Sequence, residues 1–355
     1  MSELTQILAD TAERLLTDHA TKAVLLESEQ GTWPKELWQA LEENGLTQPL
    51  VPEDKGGVGA GWEDAFVIAF AAGRHRTPVP LTETMAAGWL LSRLGLDIPS
   101  GPLSLIDDGH QLEFVDGRIS GQAQGAPWAK QAGQALTNIK FDGGWRVAHM
   151  AIDQASVTPD LSIAAEPRDH LNFDSAAPQA SAAFPAPTAL APIRLLGALI
   201  RSAEMAGGLG RAVEMSVSYV TERQQFGRAL AKFQAIQQML AVAAARAAEA
   251  RMAAEFAFGA MDRSNGDLEQ AEFDIAAAKI ICGEAVETVT DITHQVHGAI
   301  GFTHEHELHF TTRRLWAWRG EFGAETFWAE RLGRAVMARG ADKLWPDLTA
   351  RQSRG

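Results

Sequence analysis

Two short segments in the second half of the chain carry side chains suited to a phosphate-bearing ligand. Residues 223–227 read Arg-Gln-Gln-Phe-Gly, and residues 233–237 read Phe-Gln-Ala-Ile-Gln. The guanidinium group of Arg223 matches phosphate oxygens with paired hydrogen bonds. A lone arginine here would more often form a surface ion pair, for example with Glu222.

A third segment, residues 295–299, reads Gln-Val-His-Gly-Ala. Gly298 and Ala299 are small residues, which let the main chain approach a ligand closely, and Gln295 stands just before them. His297 belongs to the same segment. A histidine near the end of a helix is more often packed than functional, and we assign it no acid–base role.

A histidine-rich segment follows, in which His304, His306 and His309 occur with Glu305 and Glu307. These residue types can bind metal ions, but their alternation suits no single helical face. Residues of a metal-binding type are weak evidence for a metal site when their spacing does not bring the side chains to one point. We therefore predict no metal site.

Two further motifs have structural interpretations. Residues 207–210 (Gly-Gly-Leu-Gly) superficially resemble a dinucleotide-binding loop, but they follow a predicted helix rather than a strand and indicate helix packing. Cys282 is the single cysteine, so no intramolecular disulfide or thiolate cluster can form, and its apolar neighbours predict a buried, inert thiol.

Composition limits the class of protein. A net charge of −14 excludes a non-specific nucleic-acid role, because phosphate binding requires a basic surface. The chain shows no leader pattern and no apolar run long enough to cross a bilayer. Together with the lone cysteine, this predicts a soluble, cytoplasmic protein.

The predicted elements are first helical, then β, then helical again. Helical spacing of apolar residues predicts helices over residues 4–16, 33–45, 62–74, 81–94, 198–219, 232–261, 268–296 and 324–337. An Asp-Gly turn joins two short strands within residues 112–121, and residues 145–152 read as another strand of a small antiparallel domain. The Ala/Pro-rich residues 175–192 predict a final strand and a linker. We therefore predict domains over 1–102, 103–186 and 187–355.

These motifs and this order of elements resemble the acyl-CoA dehydrogenase family of flavoproteins. The resemblance includes residues 295–302 (Gln-Val-His-Gly-Ala-Ile-Gly-Phe) and residues 319–323 (Arg-Gly-Glu-Phe-Gly), and it is weakest over residues 100–190. It implies an α+β multidomain fold with an N-terminal helical domain, a small middle β-domain and a C-terminal four-helix bundle. It also implies FAD as cofactor, an acyl-CoA substrate and electron-transfer flavoprotein as acceptor.

The resemblance assigns roles to the binding motifs. Arg223 would reach the diphosphate of an FAD held mainly by a neighbouring subunit, and Phe226 would pack beside it. Gln225 belongs to the same motif, and Gln234 would contact the adenosine end. The loop that contains Gln295, His297, Gly298 and Ala299 would hold the dinucleotide across the dimer.

The family's catalytic base is missing. The resemblance places a glutamate at the position of Phe322, where it would remove the α proton of the thioester. A minority of the family carries the base at the position of Gly197, which is also not an acid. Glu321 is one residue from the usual place and is the displaced candidate. The family's Thr-Glu-Pro stretch is also absent, and residues 126–129 (Ala-Pro-Trp-Ala) stand in a comparable place.

Three functions remain open at this point. The preferred interpretation is a base-lacking partner subunit of a hetero-oligomeric acyl-CoA dehydrogenase, as the family has in steroid and bulky side-chain breakdown. The alternatives are a self-sufficient dehydrogenase, assembled with itself, that uses Glu321, and a flavin monooxygenase or oxidase on the same scaffold. A non-enzymatic packing protein is the remaining interpretation.

Overall fold

The structure is a computed structural model that describes residues 2–107, 111–141, 144–185 and 188–352. Its N-terminal part is helical, as predicted. It contains α1 (Glu3–His19), α2 (Lys22–Glu29), α3 (Lys35–Glu43), α4 (Trp62–His75) and α5 (Leu81–Arg93). Ser2 caps α1 by accepting the Thr5 N–H at 3.0 Å. Helices α1, α3, α4 and α5 confirm the helices predicted from the spacing of apolar residues, whereas α2 was not predicted.

The middle part consists of two four-stranded sheets with orders β1-β4-β5-β8 and β2-β3-β7-β6. The strands are β1 (Ser104–Ile106), β2 (Leu112–Val115), β3 (Arg118–Pro127), β4 (Gln134–Phe141), β5 (Gly144–Ala151), β6 (Ala155–Thr158), β7 (Arg168–Ala176) and β8 (Ala180–Ala183), with the short helix α6 (Ala129–Ala132). The Asp116-Gly117 turn joins β2 and β3 with positive φ at both residues, which confirms the predicted hairpin. The prediction of a purely antiparallel domain was wrong in one place, because β1 pairs in parallel with β4.

The C-terminal part is a bundle of long helices with short additions. It contains α7 (Pro192–Glu222), the two-residue strands β9 (Gln224–Gln225) and β10 (Arg228–Ala229), α8 (Gln234–Arg263), α9 (Leu268–His297), α10 (Leu308–Gly320), α11 (Glu325–Arg339) and α12 (Ala341–Gln352). Helices α10 and α12 were not predicted. The bounds of the three domains stay predictions, and the boundary at residues 186 and 187 lies outside the described residues.

Helix α7 lies at the centre of the molecule and packs against α4, α8, α9 and α10. Its backbone crosses that of α4 without room for side chains between them. A Cβ atom at Gly207 would stand 2.0 Å from the Phe70 carbonyl oxygen, and one at Gly73 would stand 2.0 Å from the Glu204 carbonyl oxygen. The glycine motif at 207–210 therefore serves helix packing, as predicted. No helix in the described part of the chain is both long and apolar enough to span a membrane.

Candidate functional site

Phe322 and Gly197, the two positions at which a base is expected, lie against each other. Phe322 follows the end of α10 with a φ of +53° and is 8% exposed. A Cβ atom at Gly197 would stand 2.2 Å from two carbons of the Phe322 ring. The ring thus fills the space that a side chain at residue 197 would need, and neither position carries an acid.

Glu321 faces two arginines. Its Oε1 atom lies 2.6 Å from Nη2 of Arg168, and its Oε2 atom lies 2.7 Å from Nε of Arg201. Burial alone would raise the pKa of Glu321, but the charges and hydrogen bonds of both arginines hold that pKa below its ordinary value. A carboxylate with both oxygens engaged by guanidinium groups is a weak proton acceptor.

The same arginines belong to a larger buried network that sequence reasoning missed. Arg201 also pairs with Glu83 of α5 at 2.5 Å and with Glu204 one turn along α7. Burial is the main cause that raises the pKa of Glu204 to about 7, with the neighbouring Glu83 adding to it and Arg201 opposing it. Only the three-residue spacing of Arg201 and Glu204 was readable from the sequence.

The network extends into the middle part of the chain. Arg168, at the start of β7, pairs with Glu166 at 3.1 Å, and Glu166 in turn pairs with Arg314 of α10 at 3.0 Å. Its charges therefore come from the helices at both ends of the chain and from the β part. Removing one member would leave a buried charge uncompensated, which is costly.

Buried hydrogen bonds hold the segment around Phe322. The Lys279 ammonium group donates to the carbonyls of Trp318, Arg319 and Gly323 at 3.3, 2.7 and 2.9 Å. Burial lowers the pKa of Lys279 to about 8. Trp328 donates its indole N–H to the Phe322 carbonyl at 3.1 Å. The turn after α10 is therefore fixed by donors from α9 and α11.

A small cavity of about 260 Å³ borders this turn. Its walls include residues 320–323, Arg194 at the start of α7 and the end of β3, residues 124–127. Arg194 pairs with Asp107 at 2.6 Å. The volume is below the roughly 300–1,000 Å³ of typical ligand pockets, and Pro127 has no N–H to donate.

The predicted phosphate-binding segment forms an exposed hairpin between α7 and α8. Arg223 and Gln225 are exposed, and Phe226 is 90% exposed at the tip. Gln234 is the first residue of α8 and is also exposed. The Phe226 ring lies edge-on to that of Phe233, with centroids 6.2 Å apart.

The predicted loop after α9 lies beside the end of α7. His297 stacks on Tyr219, one turn before Arg223, with ring centroids 4.5 Å apart. Gln295 and Gly298 line an open groove of about 560 Å³ that also includes Met239 of α8. The loop is thus linked to the end of α7 that precedes the hairpin and to the start of α8 that follows it.

His297 differs from the other predicted contacts in this loop. Gln295, Gly298 and Ala299 are exposed, whereas the His297 side chain is buried and donates from Nδ1 to the Thr293 carbonyl at 2.7 Å. Its ring faces the protein interior, so only its backbone is placed to approach a ligand. Among the described residues, no three His, Cys, Asp or Glu side chains converge to hold a metal ion.

Two family models match most of the chain. The acyl-CoA dehydrogenase N-terminal domain matches residues 2–97, and the acyl-CoA dehydrogenase C-terminal domain matches residues 196–337. The stretch between them contains the two sheets, where the sequence motifs of the resemblance are weakest.

Similar proteins are also acyl-CoA dehydrogenases. IpdE2 of Mycolicibacterium smegmatis is 27% identical over 88% of this chain and 93% of its own length. FadE34 of Mycobacterium tuberculosis is 28% identical over 91% of this chain, and the chain spans only 45% of FadE34.

Solved structures share the fold. One is described as a Tcur3481-Tcur3483 steroid ACAD variant, with a TM-score of 0.84, 24% identity and coverage of 95% of this chain and 98% of that one. Another is the ChsE4-ChsE5 complex of Mycobacterium tuberculosis, with a TM-score of 0.82, 24% identity and coverage of 94% and 97%.

Proposed function

We propose that this chain, which belongs to the acyl-CoA dehydrogenase family, is a partner subunit of a mixed oligomer that dehydrogenates an acyl-CoA thioester between its α and β carbons. It would complete the FAD site of a related, glutamate-bearing chain instead of removing the proton itself. The enzyme would be an oxidoreductase of lipid or steroid catabolism, with electron-transfer flavoprotein as acceptor.

The observation that carries this proposal is the packing of Phe322 against Gly197. Neither base position carries an acid, and a side chain at residue 197 would collide with the ring of Phe322. The neighbouring Glu321 is held by Arg168 and Arg201. We therefore infer that this chain carries no carboxylate well placed to remove the α proton. The loss of a general base typically lowers the rate by a factor of about 10²–10⁴.

The residues at the hairpin end fit the diphosphate and adenosine parts of FAD. The guanidinium group of Arg223 belongs to an exposed residue of the hairpin. Gln225, Phe226, Gln234 and Gln295 are exposed as well. Gly298 and Ala299 add main chain that a ligand can approach closely. When bound, FAD accepts the hydride from the β carbon of the substrate.

The cavity beside the turn at 320–323 fits the flavin ring poorly. It is small, an Arg194–Asp107 pair forms part of its wall, and Pro127 offers no N–H donor. The hairpin and loop, in contrast, face outward. We therefore propose that they serve an FAD whose ring lies in the partner chain.

The relatives support a partner from the same family. FadE34 is more than twice the length that this chain matches, so it has room for a second unit of similar size. The two solved structures named above are each described by a pair of chain names. A large substrate such as a steroid-derived acyl-CoA is the corresponding proposal. A cytoplasmic location is also proposed, from the lone buried cysteine.

The direct test compares the isolated chain with a co-expressed pair. The chain is purified alone and with a glutamate-bearing homologue, and each is assayed with straight, branched and steroid-like acyl-CoAs and an artificial electron acceptor. We expect FAD and turnover in the pair and slight turnover at most in the isolated chain. Brisk turnover by the isolated chain would contradict the proposal and favour a self-sufficient enzyme.

A control uses the partner's base. Replacing the partner's catalytic glutamate by glutamine should abolish turnover by the pair, whereas Glu321→Gln in this chain should not abolish it. If Glu321→Gln alone removed substrate-dependent flavin reduction in a folded, FAD-containing pair, Glu321 would be the base after all.

A further inference from the structure

Four histidines lie near the turn of residues Gly298–Phe302, and two of them, His294 and His297, pack against Gly301 of the turn. The proposed function gives none of their side chains a role. The His297 and His306 rings meet edge-on with centroids 4.5 Å apart. His294 stacks on Phe302, whose ring is 69% exposed in the groove beside Gln295, with centroids 4.1 Å apart. We call His294, His297, His306 and His309 the histidine cluster. Its members contact the turn through His294 and His297, and His306 is joined to the turn through the ring of His297.

Hydrogen bonds fix the tautomers of two members. His297 Nδ1 lies 2.7 Å from the Thr293 carbonyl, and His309 Nδ1 lies 2.8 Å from the His306 carbonyl. A carbonyl can only accept, so each Nδ1 carries a hydrogen and each neutral ring has a lone pair on Nε2. Both Nε2 atoms are buried without a partner among the described residues. A proton added there would be a buried donor with no acceptor, which is unfavourable.

His306 responds to protonation in another way. Its Nδ1 accepts the N–H of Leu308 at 3.1 Å, and Leu308 is the first residue of α10. A proton on Nδ1 would remove this acceptor from an N–H that α10 cannot satisfy internally. The first turn of α10 would then lose its hydrogen bond to the His306 side chain.

Charged groups of both signs surround the cluster. The groups that face it include Lys22 of α2, Arg211 of α7, Arg313 and His304 near α10, and the acids Asp291 and Glu307. Arg76 at the end of α4 is bonded to Glu307, Lys22 to the Glu305 carbonyl, and Glu29 to Arg313. Burial is the first cause that lowers the pKa of all four histidines, and the other histidines of the segment add to it. Lys22 also lowers the pKa of His306 and His309, whereas Asp291 opposes the shift at His294 and Glu307 opposes it at His306.

We propose that the histidine cluster is a pH-sensitive latch, which holds the Gly298–Phe302 turn while its rings are neutral and releases the turn when they take up protons. The turn adjoins Gln295 and contains Gly298 and Ala299. If the proposed function is correct, release of the turn would also weaken the binding of FAD across the subunit interface. Acidification below the ordinary histidine range would thus disassemble the composite cofactor site.

Hydrogen–deuterium exchange of the full-length chain tests the latch without any cofactor. Protection of the amides of residues 298–303 is measured between about pH 7.5 and about pH 5.0 and corrected for the intrinsic pH dependence of exchange. We expect protection to fall by up to about tenfold per pH unit for each proton taken up on opening. Protection that stays constant over this range would refute the latch.

Two variants separate the latch from general acid unfolding. His297→Phe keeps a ring against Tyr219 but cannot be protonated, and His306→Asn keeps an oxygen that can accept the Leu308 N–H. Each variant should weaken the pH dependence of the exchange protection of residues 298–303. The matched control is His149→Asn, because burial also lowers the pKa of His149 but this residue lies on β5. An effect of His149→Asn as large as that of His297→Phe would overturn the proposal.

Flavin release from the co-expressed pair tests the functional consequence separately. Free FAD is followed by its fluorescence as the pH is lowered, and we expect release to be shifted to lower pH in His297→Phe. If the pair contains no FAD at about pH 7.5, the proposed function fails while the exchange experiment still decides the latch. If FAD is bound and its release is identical in wild type and His297→Phe, the link between latch and cofactor fails.

Discussion

The ring of Phe322 lies on the Cα of Gly197, where a Cβ atom would stand 2.2 Å from two ring carbons. The two residues come from the start of the central helix α7 and from the turn after α10. Because they share one space, an acid at residue 197 would require a smaller residue at 322. The ring at residue 322 therefore accounts for the glycine at residue 197.

Gly197→Ala should destabilise the protein by about 1–3 kcal/mol, since the added methyl group would force the Phe322 ring out of its place. Urea unfolding followed by circular dichroism measures the change in the free energy of unfolding. Gly333→Ala is the matched control, because a Cβ atom at this glycine of α11 meets no neighbouring atom within 4 Å. It should be neutral or slightly stabilising.

The double variant Gly197→Ala/Phe322→Leu checks that the ring is the cause. Its destabilisation should be less than the sum of the two single variants, because leucine leaves room for the new methyl group. Strict additivity would show that Gly197 is needed for a reason other than Phe322.

Glu321→Gln should cost about 3 kcal/mol of stability, because it leaves Arg168 and Arg201 with a buried positive charge that is less compensated. The change is measured by urea unfolding. Glu330→Gln provides the comparison, since Glu330 forms an exposed pair with Arg334 on α11 and should contribute less than about 1 kcal/mol. Equal effects of the two variants would mean that the buried network does not depend on Glu321.

The raised pKa of Glu204 predicts a pH dependence of stability. Its folded-state pKa is about 7 and its ordinary value is 4.5, so the folded state binds more protons between these limits. The stabilisation from Glu204 is thus complete below about pH 4.5 and is lost as the pH rises through about 7. Glu204→Gln should flatten the free energy of unfolding over this window. An unchanged slope would show that Glu204 is ionised in the folded protein at neutral pH.

The helices were predictable because their apolar residues recur at helical spacing over many turns, as in α7, α8 and α9. Helix α10 was missed because polar residues also occupy its buried sides, so burial does not follow an apolar pattern at helical spacing. His309, Thr312 and Arg314 are all buried. The parallel pairing of β1 with β4 was not predictable from three-residue strand patterns.

The binding motifs could be proposed from the sequence because Arg223 and Gln295 stand in short strings, and both side chains are exposed in the structure. Their contact with FAD stays a prediction. The role of Glu321 depends on Arg168, which lies 153 positions earlier in the sequence, and on Arg201, which lies 120 positions earlier. Such partners are set by the tertiary fold, so residue type alone left Glu321 open as a base.

Arg223→Ala should lower the FAD affinity of the co-expressed pair by a factor of about 10 to 100, as expected for losing a charge-assisted hydrogen bond of about 1.5–3 kcal/mol. Arg223 is exposed, and its main chain only ends α7, so stability should change little. FAD content after gel filtration and the dissociation constant from flavin fluorescence give the measurement.

Arg246→Ala is the matched control for Arg223, because Arg246 is an equally accessible arginine on α8 that pairs with Glu249 on the same helix. It should leave FAD binding unchanged, which separates a specific phosphate contact from a general loss of positive charge. The proposal places Arg223 at the cofactor of the partner, so mixing Arg223→Ala chains with wild-type partner chains should reproduce the defect. If FAD content stayed normal in that mixture, the hairpin would not reach the diphosphate, and the composite FAD site would have to be abandoned.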